Sequence, residues 1–149
     1  MVKNLQVYSE DKTINSKTVH SLISLLKEYF QFSISFLSIG FIAASELKQI
    51  NKKYLKHDFN TDIITFNYSD DKCKIDGEIL ISFEEAMINA KRYKVSYTRE
   101  LCRLVIHGVL HLSGFNDNNR KNKIKMKRVE NNLINKYNFT LLAGGEHKV

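Results

Sequence analysis

From Leu101 to Leu112 the chain reads LCRLVIHGVLHL, a helical run that is almost wholly apolar yet contains two histidines, His107 and His111. A helix apolar on nearly every side has to be enclosed by other elements, so the rest of the chain must pack around this one. Gly114 ends it, because a residue without a Cβ enters the left-handed region and lets the backbone turn back. Imidazoles in such an interior need buried partners or a metal to satisfy their nitrogens. At i and i+4 they share one helix face about 6 Å apart along the axis, from which both can converge on one ion through bonds of about 2.0–2.1 Å. The glycine turn allows Asp117 to come round to the same point. His107, His111 and Asp117 are therefore the candidate metal ligands.

Three ligands leave a fourth position open to water, which is the arrangement a catalytic metal requires. A dication held by two neutral imidazoles and one carboxylate keeps one positive charge, where three imidazoles would leave two, so it acidifies its water less. Zinc, one ion per chain, is the first expectation. Iron and manganese follow, because two histidines and a carboxylate also hold ferrous iron. Peptidases built on His-Glu-x-x-His use the Glu after the first His as their base, and here that position is Gly108. RNA brings its own 2′-hydroxyl nucleophile and needs mainly charge stabilisation at phosphorus, so the segment favours phosphodiester over amide chemistry.

The remaining pattern supplies the packing partners. Leu5 and Val7 alternate as a first strand, and Val19, Leu22, Ile23, Leu26, Tyr29 and Phe30 recur at helical spacing behind Ser16. Phe32 to Phe41 alternates again. A short helix from Ser45 to about Leu55 puts Leu47, Ile50 and Tyr54 inward, and Thr61–Tyr68 and Gly77–Ser82 read as two strands able to pair. Ser82 and Glu85 form a capping box for a helix through Met87 and Ala90. The apolar helix starts near Ser96 or Thr98, and a last helix turns Met126, Val129, Leu133 and Tyr137 inward. The order β, α, β, α, β, β, α, α, α predicts an α+β fold, helices packed on a small mixed sheet, with a zincin-like metal site on a helix. Without repeats, linkers or any Pro, residues 1–149 read as a single domain.

With 43% hydrophobic residues and no apolar run of the roughly 18–20 residues a membrane helix needs, a soluble protein is expected. The N-terminus lacks the pattern of a secretory signal, which places the chain in the cytoplasm. Cys73 and Cys102 suit neither a disulfide framework nor a four-cysteine zinc site and are expected to be packing residues. A net charge of +7 fits a polyanionic partner, or an AT-rich genome's lysine bias. The distribution is more telling: Arg120, Lys121, Lys123, Lys125, Lys127, Arg128 and Lys136 face a single acid, Glu130. Such a stripe is either a phosphate-binding surface or a solvated face.

The segment His107-Gly108-x-Leu110-His111-Leu112-x-Gly114-Phe115 resembles the signature of the YbeY family of bacterial endoribonucleases and rRNA maturation factors. Asn51–Leu55, Thr61–Phe66 and Gly77–Ser82 are similar to its upstream elements, in the same order. The resemblance implies a single-strand-specific, metal-dependent endoribonuclease that matures the 3′ end of 16S rRNA and checks small-subunit assembly, with rRNA and the 30S particle as partners; a monomer is expected. The family's third ligand is His where this chain has Asp117, and its active-site Arg falls on Leu55, which can neither neutralise phosphate nor donate a hydrogen bond. Lys53, Lys56 and His57 are candidates for a substitute charge, or are solvated residues. Glu78, matching a family Asp, is a candidate proton acceptor or an ordinary strand carboxylate; the catalytic groups are otherwise unassigned. Two rivals remain: a metallopeptidase, and a non-catalytic rRNA-binding assembly factor with a structural metal.

Overall fold

The alternating and periodic segments become four strands and five helices in the order β1 (Leu5–Ser9), α1 (Ser16–Phe30), β2 (Ser33–Ile42), α2 (Ala44–Leu55), β3 (Ile63–Asn67), β4 (Lys74–Ser82), α3 (Phe83–Tyr93), α4 (Tyr97–Leu112) and α5 (Arg120–Tyr137) among the described residues. These are residues 1–137 and 141 of a computed structural model, with Tyr137 described by its backbone alone. The strands form one sheet in the order β1-β2-β4-β3, parallel except for β3, which runs antiparallel to β4. This is the expected α+β architecture on a mixed sheet.

The pleat divides the core in two. Leu37, Ile39 and Phe41 of β2 and Ile75, Ile79 and Ile81 of β4 face α1 and α4, in a cluster that continues through α4 to Met126 and Leu133 of α5. Ile42, Ile64 and Leu80 face the opposite way and meet Leu47 of α2 in a much smaller cluster. Each fully buried side chain of this size contributes about 1.5–3 kcal/mol, so the α4 side holds most of the hydrophobic stabilisation. Leu101, Leu104, Val105, Ile106, Val109, Leu110 and Leu112 are all at most 2% exposed, as an enclosed central helix requires. α4 lies tightly on the sheet at Gly108, where an added Cβ would stand 2.9 Å from Cδ1 and Cγ2 of Ile79.

Helix starts follow side-chain caps. Ser96 rather than Thr98 caps α4, its hydroxyl accepting from the Arg99 N–H at 3.1 Å, and Asn15 rather than Ser16 caps α1. Ser82 accepts from the Glu85 N–H at 3.0 Å, while its own N–H donates to the Asp62 carbonyl at 2.9 Å, so a strand partner replaces the return half of the capping box.

Some expectations fail. Tyr54 is 59% exposed, because α2 covers only a narrow strip of sheet and Asn51, one turn after Leu47, takes the inward position. Asn51 remains satisfied there through a 3.2 Å bond from its side-chain amide to the Phe59 carbonyl. Cys102 is buried as expected, but Cys73 is exposed in the turn before β4 and is not a core residue. The inward placement of Tyr137 concerns a side chain outside the described residues. Among those residues, no helix is long and apolar enough to cross a membrane.

Candidate metal centre

α4 delivers His107 and His111 from its last two turns, their ring centroids 4.8 Å apart. The helix then closes over the Val109, Leu110 and His111 carbonyls, and Gly114 adopts φ +97°. The Phe115 N–H returns to the Leu110 carbonyl at 2.9 Å, which reverses the chain as the glycine predicted. Asn116 pins the following turn by accepting from the Asn118 N–H at 3.2 Å and the Asn122 side-chain amide at 2.7 Å. Asp117 is thereby carried back, its Oδ2 3.8 Å from Nε2 of His111. His107, His111 and Asp117 each offer one ligand atom, and the three atoms lie within 4.8 Å of one another. A tetrahedral ion with bonds of about 2.0–2.1 Å needs its ligands about 3.4 Å apart, so a small contraction of side chains would fit this set to one.

The surroundings of the pair hold what the sequence reading missed. Nδ1 of His107 is hydrogen-bonded to Oε2 of Glu130, a residue of α5 only 2% exposed. With Nδ1 committed to a carboxylate, Nε2 is the nitrogen left to bind an ion, and the bond fixes both tautomer and ring orientation. Glu130 is itself held by Arg103, whose Nη1 lies 3.5 Å from Oε1. Arg103 also makes two short bonds to Glu100, at 2.8 and 2.6 Å, and Asn89 links Glu100 to Asp62 at 3.0 and 2.9 Å. Burial alone would lower the Arg103 pKa, but the Glu100 hydrogen bond and the charges of Glu100, Glu130 and Asp62 raise it above the ordinary value. The guanidinium stays charged and compensates the buried acids. Glu130 had a signal in the sequence: it lies four residues after Met126 and three before Leu133, on the inward face of an otherwise basic helix.

His111 is held below the ordinary imidazole value, first by burial and then by repulsion from His107, with Asp117 and Glu130 opposing. A neutral ring is the form that binds metal.

The other candidates lie elsewhere. Glu78 pairs across the sheet with Phe66 and Ser38 and points to the α2 face, opposite the Ile79 side chain on which α4 rests. Its Oε2 accepts from the Tyr68 hydroxyl at 2.6 Å, a bond that, with burial and the same charge, pushes the phenol up to about 12. The structure therefore does not bring Glu78 to the imidazoles. Leu55 ends α2 at 41% exposure, the ammonium of Lys53 sits 5.2 Å from the Tyr54 ring centroid, and His57 stacks on Phe59. Lys56 caps α2 in the left-handed conformation. None of these contacts reaches the histidines.

The family described as endoribonuclease YbeY matches residues 2–138. The Endoribonuclease YbeY of Amoebophilus asiaticus is 36% identical over 131 residues, 87% of this chain and 85% of that one. That of Parabacteroides distasonis is 35% identical over 130 residues, 85% and 91% of the two chains. The solution structure of TM1509 from Thermotoga maritima shares the fold, with a TM-score of 0.62 at 24% identity over 90% of this chain and 91% of that one. A family match over nearly the whole length, with relatives above 30% identity across most of both chains, shows that this chain belongs to the endoribonuclease YbeY family, hydrolases acting on RNA.

Proposed function

We propose that this chain is a cytoplasmic, single-domain, monomeric endoribonuclease that cuts single-stranded RNA at one zinc ion held by His107, His111 and Asp117. The substrate is the 3′ region of 16S rRNA in the context of the 30S particle. The convergence of the three ligand atoms carries this reading. A bound dication would supply positive charge where negative charge develops on the scissile phosphate. The chain's own part is to hold Nε2 of His107 in place through Glu130, keep His111 neutral, and add one carboxylate that leaves the centre cationic towards phosphate. The 2′-hydroxyl of the substrate would be the nucleophile, giving its proton to a base as the 5′-oxygen leaves phosphorus, so the nucleophile need not be a metal-bound water activated by a glutamate after the first His.

The peptidase alternative meets a steric barrier. Position 108 faces Ile79 at 2.9 Å from any Cβ, leaving no room for a glutamate side chain. Family membership likewise favours catalysis over a non-catalytic assembly role. Cleavage of a single-stranded rRNA fragment, with and without chelator, tests the proposal. Chelator and Asp117→Ala are each expected to abolish cleavage while the circular dichroism spectrum keeps its form. Cleavage that persists without metal removes the basis of the reading.

A further inference from the structure

A groove of about 420 Å³ runs between α4 and α5, with His107 and Asp117 at one end and the turn between α3 and α4 at the other. Arg99, Arg103 and His107 follow one another at four-residue steps along its α4 wall, and Lys123, Lys127 and Asn131 do so along α5. Each step spans about 6 Å of helix axis. The helices run in opposite directions, since Arg99 bonds Asn135 and His107 bonds Glu130, so Lys123 lies towards the metal end. The two arginines are committed, Arg99 to Asn135 and Arg103 to Glu100 and Glu130. Lys123 and Lys127 make no side-chain hydrogen bond or ion pair among the described residues, and both are exposed. Between the walls the floor is apolar, formed by Met126 and Ile134, 2% and 5% exposed, and the Tyr93 ring stands open at the rim, 55% exposed.

Two free cations in register above an apolar floor with an unpacked aromatic ring match the two parts of a nucleotide. We propose that this groove grips the single-stranded RNA beside the phosphate being cut: Lys123 and Lys127 contact successive backbone phosphates, and one unpaired base lies on the Met126–Ile134 floor against Tyr93. The volume suits one such ring system with its sugar. Lysines contact phosphate without reading sequence, and a base stacks on an aromatic ring whatever its identity. Only an unpaired base can leave its own stack, so the groove selects for single strands. The inference rests on the endoribonuclease reading and specifies where that enzyme holds its substrate.

Binding of a fluorescent single-stranded oligoribonucleotide to the full chain, measured in chelator so that nothing is cut, tests the groove apart from the chemistry. Lys123→Gln with Lys127→Gln should flatten the slope of log affinity against log salt by about 1.4. Tyr93→Ala should weaken binding roughly 5- to 150-fold with the slope unchanged, and Tyr93→Phe should restore it. Lys3→Gln with Lys17→Gln, outside the groove, should leave the affinity within about twofold of the parent. All five side chains are exposed, so the fold is not at stake. Unchanged affinity and slope in the groove variants would overturn the proposal, as would a duplex of the same sequence that binds as tightly as the single strand. Cleavage of the same strand after metal is restored reports separately: groove effects without cleavage sink the nuclease reading alone, and cleavage without groove effects sinks the groove alone.

Discussion

The two faces of the sheet divide the residues between them unequally. On the α4 face a large apolar cluster backs a chain of polar groups from Asp62 through Asn89, Glu100 and Arg103 to Glu130 and His107, every link a named contact, with Asn89, Glu100 and Glu130 buried and Asp62, Arg103 and His107 partly exposed. On the α2 face, a small cluster is edged by exposed Tyr54 and Tyr68, and its carboxylate, Glu78, is satisfied by a surface phenol. Ionisable groups anchored to buried partners are held to one geometry, whereas those at a wet margin are screened and replaceable. With the proposed chemistry on the α4 face, substitutions on the two faces should differ steeply in effect.

The largest effect belongs to the ligands. His111→Ala is expected to lose the metal and cleavage together, both read on the same purified sample, while Leu55→Arg on the other face leaves metal content unchanged. Next comes the contact at Gly108. Gly108→Glu forces a side chain into Ile79, at a cost of about 1–3 kcal/mol for overpacking and several more for an unpaired buried carboxylate. Its melting temperature should fall by roughly 2–4 °C for each kcal/mol, and no peptidase activity should appear.

Glu130→Gln keeps the shape but removes the charge that orients His107. Zinc affinity, measured by competition with a chromophoric chelator, should drop about 10- to 100-fold. Glu78→Gln, its counterpart across the sheet, should leave that affinity unaltered; equal losses in both would erase the distinction between the faces. The smallest effect is on pH. Because burial and His107 hold His111 below 6.5 in the folded metal-free protein, the unfolded chain protonates first as pH falls. This group's contribution to stability is therefore fully present above about pH 6.5 and lost as pH drops below it, levelling off once the folded ring is protonated. Melts in chelator should show this decline, and His111→Gln should lessen it. His20, also lowered by burial, contributes with the same sign in both proteins and cancels in the difference.

What could be read in advance follows the same division. The strand and helix order, the Gly114 turn and the approach of Asp117 were legible because periodicity and a missing Cβ act locally. The last periodic residue of α1, Phe30, and the end of α2 read at about Leu55 are where those helices stop, although Gln31 and Lys56 rather than glycine take the left-handed conformation with φ 58°; α3 runs past Ala90 to Tyr93, with Lys94 in the same conformation. Glu130 could have been suspected from its spacing, but its bond to His107 joins residues 23 apart in sequence and depends on how α5 lies across α4. The charge network escaped for that reason: Asp62, Asn89 and Glu100 come from three separate segments, and only the tertiary fold brings them to Arg103. Glu78 was legible as a strand residue, yet only register with Phe66 and the contact of Ile79 with Gly108 reveal which face it occupies.

The most direct measurement is elemental analysis of the purified parent chain beside Asp117→Ala and Glu78→Gln. The account predicts about one zinc per chain in the parent and in Glu78→Gln, and almost none in Asp117→Ala. A full complement of metal in Asp117→Ala, or its loss in Glu78→Gln, would contradict it.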